Sequence, residues 1–197
     1  MMDVKTIERI AKILSFEVKE PEIAAKEIAE RYPDIYSLAI ADYDELSRLE
    51  HVGQKGAHLL RLVMSLKSRA GADSFKLGRK HTEEEIVAFL KSLFFSLSNE
   101  TVYLLLLDDK GRVKSCEFVC EGTVNATSIL PRKLLELMIK KNCRDAILAH
   151  NHPYGYARPS AEDVDTTVRI SSLLKSADRR LIAHYIIAGN EYCVIDQ

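Results

Sequence analysis

The chain has 197 residues, with 28 basic and 29 acidic side chains, a formal net charge of −1 and 47% apolar residues. That apolar share is ample for a buried core and excludes a disordered chain, and the balanced charge excludes a protein that captures nucleic acid by bulk positive charge. No segment carries the apolar run of a membrane span or of a secretion signal, so a cytoplasmic protein with reduced thiols is expected. The length suits one large or two small domains.

The first third reads as helical throughout. Val4, Ile7, Ile10, Ala11 and Leu14 recur at helical spacing, as do Ile23, Ala24, Ile28 and Tyr32. Asp42 and Asp44 open a short helix holding Leu46 and Leu49. After Gly53, the residues Ala57, Leu59, Leu60, Val63 and Leu66 continue the period. Around Gly53-Gln54-Lys55-Gly56, two uses are open. The glycines could make a tight turn between packed helices, or let backbone N–H groups approach a nucleic-acid phosphate. The run from Arg69 to Ser74 breaks the period, which predicts an all-α domain over residues 1–72 and a linker over 73–81.

Beyond the linker the pattern becomes α/β. Thr82 with Glu85 is a capping box for a helix carrying Ile86, Phe89, Leu90, Leu93, Phe94 and Leu97. Strands are predicted at 101–107 and 113–121, joined in a hairpin by Asp108-Asp109-Lys110-Gly111. Pro131 stands at a helix start before Leu134, Leu135, Met138 and Ile139. A strand at 146–150, a helix capped by Ser160, and strands at 181–188 and 192–195 complete a mixed sheet with flanking helices. Cys116 and Cys120 are spaced to share one strand face. With Cys143 and Cys193 they are expected as free thiols, ahead of a disulfide or a second metal site.

The chemistry concentrates in His150-Asn151-His152-Pro153 and in Ser160 to Asp163. Residues i and i+2 of a strand share a face, so His150 and His152 can point the same way before Pro153 ends the strand. Two imidazoles and the Asp163 carboxylate leave a fourth tetrahedral position for water, the pattern of a catalytic zinc, one per chain. Ser160 and Asp163 also form a helix-capping pair, and the two uses of Asp163 are compatible. A zinc hydrolase needs a base outside the metal shell. Glu100, a carboxylate at the head of a strongly apolar strand, is the candidate. The other histidines, His51, His58, His81 and His184, read as surface or packed residues.

A Glu at a strand head, followed by His-x-His-Pro and Ser-x-x-Asp, resembles the JAMM signature of the MPN-plus (JAB) metalloprotease fold. The words Gly122-Thr123-Val124-Asn125-Ala126-Thr127, Pro131-Arg132, His150 to Pro153, Pro159-Ser160 and Asp163 narrow the resemblance to the RadC family, over residues 82–197. It implies a cytidine-deaminase-like mixed sheet. It also implies zinc on His150, His152 and Asp163, proton transfer by Glu100 and oxyanion stabilisation by Ser160. Tyr154-Gly155 stands where the family usually has Ser-Gly, and Ala183-His184 where it usually has Asp-His. The Leu49 to Ala57 stretch resembles the second hairpin of a helix-hairpin-helix module, with His51 in place of the first glycine.

The resulting expectation is a hydrolase of amide bonds, peptide or isopeptide, acting on a protein or peptide. The helical domain is expected to serve protein contacts or homodimerisation, with weak or no DNA binding. Two other readings stay open: a repair-linked DNA-binding protein whose metal domain is secondary, and a metal-bearing interaction domain without turnover.

Overall fold

A computed structural model describes residues 1–122 and 131–195. The chain divides into two compact units, residues 1–70 with 95–98 and residues 71–94 with 99–197. The word Thr123 to Thr127 that contributes to the family resemblance lies outside the described residues.

The first unit is built from α1 (Val4–Leu14), α2 (Pro21–Arg31), α3 (Ile35–Ala39), α4 (Tyr43–Ser47) and the start of α5 (Gly53–Asp73). Asp3, Asp34 and Asp42 cap α1, α3 and α4 by accepting backbone N–H groups of the first turn. Ile10, Leu14, Ile28, Leu46 and Leu60 fill the core. Val4 and Ile23, the outer members of the predicted stripes, face solvent. Tyr32 and Leu49 lie just beyond the helices they were expected to join. Helix α5 corrects a second expectation, because it runs through Arg69 to Asp73 where a break was predicted. Gly71 is there for space: a Cβ at this position would overlap the Ser92 side chain. In the following segment Phe75 stacks between His81 and Phe89, with ring centroids 3.8 and 4.1 Å away.

The second unit opens with α6 (Glu83–Phe94), whose capping box forms as read: Glu85 N donates to Thr82 Oγ1 and Thr82 N to the Glu85 carboxylate. Strands β1 (Thr101–Leu107), β2 (Val113–Glu121), β3 (Asp145–Asn151), β4 (Arg180–Ala188) and β5 (Glu191–Ile195) make one sheet in the order β2-β1-β3-β4-β5. Among the described strands only β3 and β4 run parallel, and the crossover between them is α8 (Ala161–Ser176). One face of the sheet carries Val102, Leu104, Leu106, Ala146 and Leu148 against Leu134 and Met138 of α7 (Pro131–Lys140) and Ile170 and Leu174 of α8. Each of the large side chains buried here contributes about 1.5–3 kcal/mol. On the other face Tyr103 meets Phe94 of α6 edge-on, with centroids 5.7 Å apart.

The β1–β2 register shifts twice, leaving Val119 and Lys114 without partners on β1. The shift at Val119 overturns the expected Cys116–Cys120 alignment. Cys116 opposes Leu105 while Cys120 opposes Val102, so the two thiols fall on opposite faces. All four cysteines are free. Among the described residues, no helix is long and apolar enough to cross a membrane.

Candidate metal centre

His150 sits on β3, the middle strand, opposite Val102 of β1 and Ile186 of β4. Alternation puts it on the face covered by α8, at the end of the row formed by Ala146 and Leu148. His152 follows one step past the strand, tied to β4 by its N–H to the Ile187 carbonyl at 2.8 Å. The two Nε2 atoms meet 3.0 Å apart. From α8, Asp163 brings Oδ1 to 3.3 Å from His150 Nε2 and Oδ2 to 3.6 Å from His152 Nε2. The cluster is buried except at His152, whose side chain is 17% exposed.

These separations fit a metal ion. Ligand atoms about 2.0–2.1 Å from a tetrahedral zinc stand about 3.3–3.4 Å from one another, and the three observed spacings bracket that value. Hydrogen placement adds a second argument. His152 Nδ1 donates to the Tyr156 carbonyl at 2.9 Å, and a carbonyl can only accept. A neutral His152 therefore turns a lone pair, with no hydrogen, toward His150 and Asp163. Without a cation between them, electron-rich atoms would face each other in a buried pocket. A proton answers the same need: the Asp163 carboxylate holds the His152 pKa above its usual value against the opposing effect of burial. Burial pushes the Asp163 carboxyl upward, but the neighbouring His150 and His152 and the hydrogen bonds from Ser160 outweigh it and keep the group ionised.

Ser160 caps α8 as read, and the cap builds the site. Its backbone N–H and its hydroxyl both donate to Asp163 Oδ2, at 2.8 and 2.7 Å, while its Oγ accepts from Asp163 N at 3.1 Å. This clamp turns Oδ1 toward His150. The hydroxyl hydrogen thus braces the carboxylate, and an oxyanion could take it only by releasing Asp163.

Glu100 precedes β1, half-buried, with its carbonyl accepting the Gly122 N–H at 2.8 Å. Its charge adds, as the smallest of the named causes, to the rise of the His152 pKa. The segment is held by Asn151, which points away from the histidines. Asn151 Oδ1 accepts from Thr101 N at 2.7 Å and its Nδ2 donates to the Asn99 carbonyl at 3.2 Å.

Three contributors escaped the sequence: Asn151, Thr167 and His184. His184, on β4, is fully buried, with Nε2 2.8 Å from His150 Nδ1 and Nδ1 2.7 Å from Thr167 Oγ1. Burial, together with the neighbouring His150, depresses its pKa to about 3. The signal was in the strand pairing, since β3 and β4 run parallel and bring position 184 beside 148 and 150.

The model of the RadC-like JAB domain matches residues 80–197. The chain belongs to the RadC family. Its relatives include UPF0758 proteins of Vibrio parahaemolyticus, 32% identical over 81% of this chain and 72% of the relative, and of Legionella pneumophila, 30% identical over 85% and 74%. A UPF0758 protein of Janthinobacterium is 28% identical over 84% of this chain and 74% of the relative. In this RadC-family chain, His150, His152 and Asp163 form a group that could hold a metal ion. Tyr154 and Tyr156, both exposed, lie on the loop joining His152 to Ser160.

Proposed function

We propose that this protein is a zinc-dependent hydrolase that cleaves an amide bond, peptide or isopeptide, in a protein or peptide substrate. The observation that carries the reading is the convergence of two imidazoles and a carboxylate in a buried pocket, with at least one lone pair turned inward by a backbone carbonyl. A zinc ion held by His150, His152 and Asp163 would lower the pKa of water toward neutrality. Glu100 would accept the proton that water loses as its oxygen bonds to the substrate carbonyl carbon. As the C–N bond breaks, Glu100 would return that proton to the leaving amine. Asn151 fixes the backbone that presents Glu100, and Ser160 keeps Asp163 ionised and oriented. The exposed tyrosines on the connecting loop offer apolar contact to an extended chain.

Metal analysis of protein purified without added metal tests the reading. About one zinc per chain is expected, lost in the double variant His150→Ala/His152→Ala. Stoichiometric zinc in that variant would overturn the site.

A further inference from the structure

We infer that Thr167 and His184 set the tautomer of His150 and so hold its Nε2 as a lone pair facing the metal position. The direction of every hydrogen in this buried chain follows from one end. Thr167 Oγ1 lies 2.5 Å from the backbone carbonyl of Asp163. A carbonyl only accepts, so the single hydroxyl hydrogen goes there. Thr167 can then only accept from His184 Nδ1, 2.7 Å away, which must carry a hydrogen. The partners of the two His184 nitrogens are an imidazole and a hydroxyl, neither of them a carboxylate, and the ring is fully buried. An imidazolium there would be a fully buried charge with no carboxylate in contact, so the ring is neutral.

A neutral ring with its hydrogen on Nδ1 has a lone pair on Nε2. His150 Nδ1, 2.8 Å away, therefore donates to it. In a neutral His150 the remaining nitrogen is then bare, and it is the one that faces His152 and Asp163. His152 reaches the same tautomer by a different route, through the Tyr156 carbonyl. The His150 chain starts on the peptide group of Asp163 itself. It thus ties one candidate ligand to the backbone of another and fixes ring orientation together with hydrogen position.

The inference rests on the proposal that a metal sits at this cluster, but its first test needs no metal. The full-length chain, labelled with 15N at histidine and kept in chelator, should give His150 resonances with hydrogen on Nδ1 and a bare Nε2. Hydrogen on His150 Nε2 would overturn the inference. Zinc affinity, measured by competition with a chromophoric chelator, should fall about 10–100-fold in Thr167→Val and in His184→Phe. Thr167→Ser, which restores the hydroxyl, should recover most of the loss. Wild-type affinity in Thr167→Val would also overturn it. If His184→Phe fails to fold, the Thr167 pair and the wild-type spectrum decide. A wild-type chain with the expected tautomer but no zinc binding supports this inference and sinks the hydrolase reading instead.

Discussion

Replacing Asn151 by Ala gives the sharpest test of how the segment carrying Glu100 is held. Asn151 and Thr101 are 3% and 4% exposed, so water cannot easily replace the lost partner. The Thr101 N–H would be left buried and unsatisfied, costing about 1–3 kcal/mol, and loss of the bond to the Asn99 carbonyl adds about 0.5–1.5 kcal/mol. A total of about 1.5–4.5 kcal/mol is expected. It should be read as a lower urea midpoint with an unchanged slope, in chelator so that metal binding does not contribute. For a chain of this size that is a fall in Tm of about 3–18 °C. Hydrogen exchange at the Thr101 amide should accelerate beyond what the global loss explains. Asn151→Asp provides a signed control. Its carboxylate can still accept from Thr101, but it opposes the Asn99 carbonyl, so the variant should be weak at neutral pH and recover as the acid protonates. A loss under about 0.5 kcal/mol in Asn151→Ala, or an unchanged Thr101 exchange rate, would refute the reasoning.

Glu100→Gln should retain zinc and lose turnover by about 10²–10⁴-fold; metal loss in that variant would make Glu100 a ligand. The stability of the metal-free protein should fall on both sides of about pH 6.5. His184, with a folded pKa near 3, stabilises fully above the ordinary histidine range, and that contribution is lost as pH drops toward 3. His152, raised by Asp163, stabilises fully below the ordinary range and loses its contribution as pH climbs through its higher folded value. Thermal melts in chelator from pH 4 to 9 should trace this dome, while the gain from added zinc grows with pH as the His152 proton ceases to compete. A flat profile would contradict both assignments. Duplex DNA should not bind detectably at physiological salt, because Glu27 already accepts the Glu50 and His51 amides, each at 3.0 Å, and Lys55 pairs with Glu17 at 3.4 Å. Low-salt binding that Lys55→Glu eliminates would reverse that view.

The sheet was legible in the sequence because its strands are short apolar runs separated by turn residues, and the β1–β2 hairpin has the predicted bounds. The candidate ligands were legible because strand parity and a helix cap are local rules, and both act here. Three kinds of feature were not. Helix α3 has five residues, too few for a period to show. The passage of α5 through Gly71 depends on contact with Ser92, which no local window contains. Asn151, Thr167 and His184 act across strand pairings and a crossover, so their partners lie up to fifty-two positions away. Until that pairing is known, each reads as an ordinary buried polar residue.

The two register shifts on β2 have a consequence for self-association. β2 is a nine-residue strand at one border of the sheet, and an uninterrupted border of that length would template pairing with another chain. Here Lys114 and Val119 fall out of step with β1 near either end. The in-register stretch between them covers only residues 115–118, and Glu117 within it holds an ion pair with Lys141. At the opposite border β5 has five residues. A second molecule adding to either border would find a short, twisted or charged strand. Among the described residues, both borders of the sheet thus work against strand addition by a second molecule.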